Sequence, residues 1–462
     1  MTRLTRTYHG ASGATGPLLF LQDTRRVALG EWVEIAQADQ PLRRGQVIDA
    51  GEDTTVIQVL DETLGLAPAR AAIRLTGNVP TAVVGRELLG RSFNGVGQPL
   101  DELPPPIGEA LLPVAGAPLN PARRLRPTDR IETGVSAIDG LNTLVRGQKL
   151  PVFSGPGLPG LELAGRIVEW SRAPGARPFA VIFVGMGLTA REAEHFLDRF
   201  QRAGAMERSI LYLNQARDPS IERLLAPRFA LTQAEYLAFE TGLDVLVVMA
   251  DLTSYCETLR EVATARQEIP GRRGFPGSMY TDLATLLERA GIVEGRAGSV
   301  TQIPILTMPD DDITHPIPDL TGYITEGQLV LSRELHRRGV EPPIDVLPSL
   351  SRLMNAGIGP GRTVPEHREW ANQLYASYTQ GREARLMAAI VGEAGLSEPD
   401  RRALALADRF EKEFIGQQER RDLGQTIAIG WALLESLPRD DLLRLSEPTW
   451  DARPSRLTQK SP

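Results

Sequence analysis

The sequence predicts a multidomain protein with an N-terminal β-barrel or sandwich, a central α/β domain on a mostly parallel sheet, and a C-terminal α-helical bundle. Three observations predict this fold class. Short alternating apolar runs precede residue 75, continuous apolar runs alternate with helical segments over 131–350, and apolar residues follow helical spacing beyond residue 362. A chain of 462 residues also exceeds what one hydrophobic core usually supports, so we expect two or three domains.

The N-terminal β region is predicted from short runs bounded by turn residues. Residues 33–35, 46–48 and 56–60 are apolar or alternating, and a Gly and Asp cluster at 49–53 separates two of them. Several short strands at regular spacing are typical of a small barrel or sandwich. Further along the chain, the Pro-rich segment 98–121 is predicted to be a connector with little regular structure.

The central and C-terminal regions differ in the period of their apolar residues. Continuous apolar strands that alternate with helices indicate a parallel sheet covered on both faces. Apolar residues at helical spacing indicate helices in the C-terminal region, and the polar residues 447–462 are expected to fray. The predicted central strands are 150–153, 179–184, 210–213 and 244–250, and the predicted helices are 190–203, 254–268, 401–417 and 425–437.

The composition argues against several classes of protein. Arginines are mixed with acidic residues and the net charge is −7, which disfavours nucleic acid as a partner. No apolar run approaches the ~18 residues that cross a bilayer, and no apolar core follows Arg3 and Arg6, so we expect no membrane span and no secretory signal. The single cysteine, Cys256, excludes an internal disulfide, fits a reducing cytoplasm, and is expected to be buried on a helix.

A loop that follows a buried strand and opens a helix has the spacing of a phosphate-binding P-loop, GxxxxGK[ST]. Gly155 and Gly160 match its two glycines, and Gly157 lies between them. In a working P-loop, backbone N–H groups hold phosphate, the lysine reaches the β and γ phosphates, and the hydroxyl holds Mg²⁺. Here Leu161 and Glu162 replace these two side chains. Leucine donates no hydrogen bond and a carboxylate repels phosphate, so we predict a degenerate loop.

Other features of this region leave alternatives open. The loop could be a Gly and Pro turn with no ligand role, and Lys149 precedes it on the strand side, where it cannot replace the missing lysine. Asp251 ends an apolar strand, as does a Walker-B acid that positions Mg²⁺, but it could equally cap the helix that begins near Ser254. The acidic run 310–312 could bind a cation, although such runs are more often solvated or cap helices.

Four segments resemble motifs of the α/β family of rotary ATPases. They are LGRSFNGVGQPLD (89–101), TGVSAID (133–139), PIDVLPSLS (343–351) and GEAGLSEPD (392–400), and the resemblance extends to about residue 445. It implies an N-terminal β-barrel, a central RecA-like P-loop α/β domain and a C-terminal helical bundle. The boundaries we expect for these domains are 1–75, 76–355 and 356–462.

Within this family, three segments resemble the non-catalytic chains of the V/A type. They are RGQKLP (146–151), IPGRRGFPG (269–277) and MPDDDITHPIPDLTGY (308–323). Catalytic members also carry GxGERxRE, whose glutamate positions the attacking water, and the matching residues here are GMGLTARE (185–192), with Leu188 in the place of that glutamate. The lysine, the hydroxyl and the carboxylate are all absent, and each supplies orders of magnitude in phosphoryl transfer. The resemblance therefore implies a chain that is not an enzyme on its own.

The resemblance also implies that this chain supplies an arginine in trans. Arg352 matches the arginine that the family's non-catalytic chains insert into the active site of a neighbour, where it stabilises charge on the transferring phosphate. The alternative is an arginine paired with a carboxylate at a subunit seam. Tyr323 lies near the expected interface, where it could contact nucleotide or the partner, or else pack in the core.

The resemblance predicts the partners and cofactors as well. Three copies would alternate with three catalytic A subunits in an A3B3 ring around central shaft subunits, with peripheral stalk subunits outside it. ATP or ADP with Mg²⁺ would lie at the interface, held mainly by the A subunit, and this chain alone would bind neither nucleotide nor metal. We expect no nucleic acid partner, contact with the membrane only through the complex, and a location in the cytoplasm at the inner face of the cell membrane.

Two other functions fit the sequence less well. An autonomous flagellar or type III export ATPase has the same fold but keeps the P-loop lysine, so Leu161 argues against it. A Rho-like helicase also needs an intact P-loop, together with a barrel surface that carries basic and aromatic residues. The N-terminal region has few aromatic residues, namely Tyr8, Phe20 and Trp32, and the chain is acidic overall.

Overall fold

A computed structural model describes residues 5–22, 24, 27–51, 53–61, 63–175 and 177–453 of the chain. The chain divides into two compact units, which we treat separately. The first unit comprises Met1–Pro118, Ile182–Glu240 and Met249–Arg289, and the second comprises Leu119–Val181, Thr241–Val248 and Ala290–Pro462. The predicted fold class is confirmed, with β structure first, a mixed central sheet and helices last. The three predicted domain boundaries stay a prediction.

The strands and helices have the following bounds. The strands are β1 Arg6–His9, β2 Gly13–Thr15, β3 Leu18–Gln22, β4 Trp32–Ala36, β5 Arg43–Ala50, β6 Thr54–Val59, β7 Ala72–Leu75, β8 Thr81–Val84, β9 Ser92–Asn94, β10 Ala110–Pro113, β11 Arg124–Leu125, β12 Val152–Ser154, β13 Phe179–Leu188, β14 Ser209–Gln215, β15 Asp244–Ala250, β16 Gly291–Val293, β17 Ser299–Thr307, β18 Gly327–Leu331 and β19 Ile344–Ser351. The α-helices are α1 Ser136–Asp139, α2 Gly160–Trp170, α3 Ala190–Arg202, α4 Ser220–Glu235, α5 Leu252–Ala265, α6 Met279–Leu287, α7 Pro316–Ile324, α8 Arg333–Arg337, α9 Met354–Gly357, α10 His367–Val391, α11 Glu398–Arg409, α12 Leu423–Leu434 and α13 Glu447–Asp451, with π-helical turns at Tyr236–Glu240 and Phe410–Ile415.

The N-terminal strands form one curled antiparallel sheet in the first unit. Its order is β1-β7-β4-β5-β6-β3-β2. Alternate residues of the strands point inward, as the period of two in their sequences requires, and Val33, Ile35, Val47, Ile57 and Ile73 form its buried core. The predicted β character of this region is confirmed.

The rest of the first unit contains one correction to the sequence analysis. The segment 98–121 was expected to have little regular structure, but β10 lies within it and pairs antiparallel with β8. Ala82 and Val84 of β8 are buried. Cys256 is buried on α5, as predicted, and burial raises the pKa of its thiol well above the usual range.

The central sheet is mixed. In the second unit its strands have the order β19-β18-β12-β17-β15, and in the first unit the order β13-β14-β9. β12 pairs in parallel with both β17 and β18, whereas β19 runs antiparallel to β18. The expectation of a mostly parallel sheet therefore describes the middle of this sheet better than its β19 edge. Because β12 and β17 are parallel, the loop after Ser154 and the turn after Thr307 lie at the same end of their strands.

The C-terminal helices of the second unit pack around aromatic side chains. The rings of Tyr378 and Phe410 lie 4.6 Å apart, and those of Phe410 and Phe414 lie 5.0 Å apart. At the crossing of α10 and α12, a Cβ at Gly430 would lie 2.2 Å from Trp370, so only glycine fits there. No helix among the described residues combines the length and apolar character that a bilayer crossing requires.

The last helix corrects the expectation for residues 447–462. The segment was expected to fray, but its first residues form α13. Ser446, which precedes α13, donates from its N–H and its hydroxyl to Glu369 of α10 at 2.9 and 2.8 Å. Residues 454–462 of the segment lie outside the described residues.

We predict that His367 makes the stability of the chain depend on pH. Its Nε2 is 2.8 Å from the Gly140 carbonyl, and burial lowers the pKa of its imidazole from 6.5 to about 4. Below pH 6.5 the imidazole binds a proton in the unfolded chain but not in the folded chain. The contribution of His367 to stability is therefore fully present above pH 6.5 and is lost as the pH falls towards 4. Between pH 7 and 5 we expect a loss of about 2 kcal/mol in the free energy of unfolding from this residue.

Denaturant unfolding of wild type and His367→Gln at pH 7 and 5 checks this prediction. The glutamine variant should lose that part of the pH dependence, because its amide does not titrate. His195→Gln, which changes an exposed histidine, is the control and should retain it. Equal pH dependence in all three proteins would contradict the prediction.

Candidate functional site

The predicted loop lies between β12 and α2, but few of its backbone N–H groups are available to hold phosphate. Two of the seven residues 155–161 are prolines, which have no N–H group. The N–H groups of Leu158 and Gly160 donate to the carbonyls of Gly155 and Leu158 at 3.0 and 2.8 Å. Only three N–H groups of these seven residues are left for a ligand, whereas a P-loop directs successive N–H groups at phosphate.

A salt bridge rests directly on this loop. Arg333, the first residue of α8, donates from Nε and Nη2 to the two carboxylate oxygens of Asp311, both at 2.9 Å, and from Nη2 to the Pro156 carbonyl at 3.0 Å. A Cβ at Gly155 would lie 1.9 Å from Asp311 Oδ1, so the carboxylate contacts the first glycine of the loop. The hydrogen bonds from Arg333 lower the pKa of Asp311. The positive charge of Arg333 is therefore paired with the carboxylate of Asp311 at this loop. A working phosphate site needs a cation that is not paired within the chain.

The side chains that replace the lysine and the hydroxyl take part in the fold of α2. Leu161 is half-buried. Glu162 lies one helical turn before Arg166, with Oε1 3.4 Å from its Nε. Lys149 is buried, and its Nζ is 2.9 Å from Glu326 Oε1. The structure is therefore consistent with the expectation that Lys149 does not replace the missing lysine.

In the first unit, the other two catalytic positions also have structural roles. Asp251 caps α5 by accepting the N–H of Thr253 at 2.8 Å, which is the capping alternative raised above. Leu188 is only 2% exposed and contacts Gly185, so it packs as an apolar side chain. Glu192 accepts from the N–H and hydroxyl of Thr189 at 2.7 and 2.8 Å in the capping box of α3. A nucleotide or metal contact of Asp251 stays a prediction.

Arg352 does not lie at the degenerate loop. It directly follows β19, in the second unit. Its N–H donates to the Glu326 carbonyl at 3.0 Å, which fixes the backbone. Its side chain is exposed and makes no hydrogen bond or ion pair with any described residue. The alternative of a carboxylate partner at a subunit seam stays open. It lines a groove of about 570 Å³ whose lining residues include Arg368 and no carboxylate.

Exposure and hydrogen bonds define the roles of three other residues in the segment 308–323. Tyr323 is 75% exposed on α7, so core packing is the wrong alternative, and contact with a nucleotide or a partner stays a prediction. His315 caps α7, with Nδ1 accepting from the N–H of Ile317 at 3.4 Å. Asp312 accepts from the N–H and hydroxyl of Thr314 at 2.9 and 2.6 Å. Among the described residues, no three His, Cys, Asp or Glu side chains group as metal ligands would.

Comparison with known proteins gives consistent matches in all three regions of the chain. The family model for the nucleotide-binding domain of the ATP synthase alpha/beta family matches residues 134–351. The model for the β-barrel domain of that family matches 12–77, and the model for the C-terminal domain of V and A type ATP synthase matches 356–453. The three models follow one another in the order of the observed β, α/β and helical regions.

Individual relatives agree with these matches. The V-type ATP synthase beta chain of Anaeromyxobacter sp. (strain Fw109-5) is 59% identical over 98% of this chain and 99% of its own length. The V-type ATP synthase beta chain of Thermus thermophilus is 54% identical over 97% of this chain and 95% of its own length. The solved structure of the ATP synthase subunit NeqB from Nanoarcheaum equitans is 39% identical and covers 91% of this chain and 100% of its own, with a TM-score of 0.72.

We predict that restoring the two missing loop side chains does not by itself restore nucleotide binding. In a Leu161→Lys, Glu162→Ser variant, the prolines, the internal N–H bonds and the Asp311–Arg333 pair all remain. Adding Asp311→Asn should tighten Mg-ATP binding at least about tenfold, because it removes a negative charge beside the phosphates and frees Arg333. Calorimetric titration of the isolated chain measures this.

Asp310→Asn in the same background is the matched control. It removes one negative charge from the neighbouring exposed residue, and both positions have positive φ, which asparagine tolerates. Equal affinities of the two asparagine variants would contradict the role given to the ion pair. Micromolar Mg-ATP affinity of the wild-type chain would contradict the interpretation of this loop as degenerate.

Proposed function

The chain belongs to the V/A-type branch of the ATP synthase alpha/beta family, and on this premise we propose that it is the non-catalytic, regulatory B subunit of a rotary ATP synthase. The observation that carries the proposal is the state of the degenerate loop. Leu161 and Glu162 replace the phosphate and Mg²⁺ ligands, and the Asp311–Arg333 pair occupies the surface of the loop. Leu188, buried as an apolar side chain, replaces the carboxylate that positions water.

In the proposed complex, three copies alternate with three catalytic A subunits in an A3B3 ring. ATP or ADP with Mg²⁺ lies at the interface and is held mainly by the A subunit, and Arg352 reaches that site in trans. The exposed, unpaired guanidinium of Arg352 supports this role, because an arginine already neutralised within its own chain could not stabilise charge on another.

The C-terminal helices are the proposed contact with the central shaft. Near the end of α10, Leu386 and Ile390 are 71% and 84% exposed one helical turn apart, and Met387 and Val391 are exposed beside them. An exposed apolar patch of this kind marks a protein interface more often than open solvent. Through shaft and peripheral stalk subunits, the ring would couple ATP synthesis or hydrolysis to ion transport at the inner face of the cell membrane.

We predict that Arg352→Ala abolishes hydrolysis by the mixed ring without preventing its assembly. Loss of an arginine finger costs ~10³ or more in the rate of phosphoryl transfer. Steady-state ATP hydrolysis by this chain mixed with its cognate A subunit, wild type against variant, measures the effect. The isolated chain should be inert. If it hydrolyses ATP, the autonomous-ATPase alternative is correct. If the variant ring keeps full activity, Arg352 is not the finger.

We also predict that polar substitutions on α10 weaken binding of the ring to its shaft. Each exposed aliphatic side chain that becomes buried stabilises a contact by about 1.5–3 kcal/mol, so Leu386→Asn with Ile390→Asn should lower shaft affinity at least tenfold. Binding of purified shaft subunits to the assembled ring measures this. Leu111→Asn, which changes an exposed leucine of the first unit, is the control. Unchanged shaft affinity in the double variant would exclude this contact.

A further inference from the structure

The groove that contains Arg352 holds a second arginine without a partner. Arg368 is the second residue of α10, and its side chain is exposed. Within the described part of the chain, its guanidinium makes no hydrogen bond and no ion pair. The nearby carboxylate of Glu369 accepts instead from Ser446, at 2.9 Å from its N–H and 2.8 Å from its hydroxyl. Two guanidinium groups without an ion-pair partner among the described residues therefore line one groove.

The position of Arg368 is unfavourable for the stability of α10. The N-terminus of a helix carries unsatisfied N–H groups and a partial positive charge, so acidic residues are favoured there and a cation is disfavoured. α10 has 25 residues, so its dipole is fully developed. Arg368 adds its charge to that of the helix end, where Glu366 at the N-cap and Glu369 in the first turn supply negative charge. An anion bound in the groove would oppose the charge of Arg368 directly.

The geometry of α10 directs this charge into the groove. Arg368, Ala371, Asn372 and Tyr375 follow the i, i+3, i+4, i+7 spacing of one helix face, and all four line the groove. The Tyr375 hydroxyl donates to the Leu347 carbonyl at 2.9 Å and so ties α10 to β19, the strand that Arg352 follows. Both arginines are therefore carried by elements joined within one unit.

The lining of the groove suits a polyanion rather than a cationic or purely apolar ligand. It contains two guanidinium groups, the side-chain amides of Asn142, Gln328, Asn355 and Asn372, and no carboxylate. Guanidinium groups bind phosphate oxygens in pairs of parallel hydrogen bonds. The amides of Asn142 and Gln328 already donate to the carbonyls of Ala137 and Pro348 at 3.3 and 3.1 Å, so the amides of Asn355 and Asn372 are the ones that add donors. A volume of about 570 Å³ admits phosphate groups that are presented from outside.

We propose that Arg368 is a second phosphate-binding residue, which contacts the nucleotide that the neighbouring catalytic subunit presents to this groove. The inference rests on the proposed function, because it needs a nucleotide held by another chain. Arg352 acts on charge that develops during transfer, whereas Arg368 binds charge that the triphosphate carries throughout. Arg368 therefore sets how tightly the ring holds its nucleotide, and Arg352 sets how fast the ring cleaves it.

The test is steady-state kinetics of the assembled ring, with a direct titration of nucleotide affinity. A contact made equally in the ground state and the transition state changes KM and leaves kcat alone. Removing a hydrogen bond to a charged group costs about 10- to 100-fold in binding, so Arg368→Ala should raise KM for Mg-ATP by that factor and change kcat less than about threefold. Arg368→Lys, which keeps the charge but not the paired donors, should raise KM less.

Arg337→Ala is the matched control. Arg337 is also exposed and without a partner among the described residues, but it ends α8 and does not line the groove, so its KM should equal that of wild type. If Arg368→Ala leaves KM and nucleotide affinity unchanged while Arg352→Ala abolishes turnover, the inference is overturned and the proposed function stands. If neither substitution has an effect, the inference is overturned and the role proposed for Arg352 fails as well.

A defect in assembly is a separate outcome. If Arg368→Ala weakens assembly of the ring, but the assembled fraction has wild-type KM, the residue binds the surface of the partner and the inference is overturned. If the alanine variant does not assemble at all, Arg368→Lys decides the matter in the assembled ring. A raised KM in the lysine variant supports the inference, and a wild-type KM overturns it.

Discussion

The parallel pairing of β12 with β17 and β18 is the constraint on which the candidate site depends. Ser154 and Thr307 are in register, so the loop after β12 and the turn after β17 leave the same edge of the sheet. β18 leads directly into α8, which begins with Arg333. Three segments far apart in sequence therefore meet at the carboxyl ends of neighbouring strands, which is where α/β sheets bind ligands. In this chain, an internal ion pair lies there.

The second unit uses arginine in two opposite ways. Arg333 is neutralised by Asp311 and holds the degenerate loop. Arg352 and Arg368 lack such partners among the described residues and share a groove whose lining has no carboxylate. An arginine that is not paired within the chain remains able to attract an external anion. The unpaired positive charge therefore lies at the groove and not at the loop. That distribution suits a chain that helps a neighbour to bind phosphate and does not bind phosphate itself.

Much of the fold was predictable from the sequence because apolar periodicity is a local property. The errors occur where a distant partner decides the structure. β10 forms in a Pro-rich segment because β8 pairs with it, and α13 follows Ser446, which Glu369 of α10 holds in place. The pairing of Asp311 with Arg333 was missed for the same reason. The acidic run was visible, but nothing in the intervening 21 residues indicated which arginine would reach it.

The sequence by itself determined which chemistry is absent. Whatever the fold, Leu161 cannot supply an ammonium, Glu162 cannot supply a hydroxyl and Leu188 cannot supply a carboxylate. It also supplied the resemblance that singled out Arg352. Only the tertiary structure decided which N–H groups of the loop are already used and which arginines are neutralised. The physical reason is that the residue type alone fixes the charge and the hydrogen-bond donors of a side chain. Their availability depends on distances that exist only after strands and helices from distant parts of the chain have packed together.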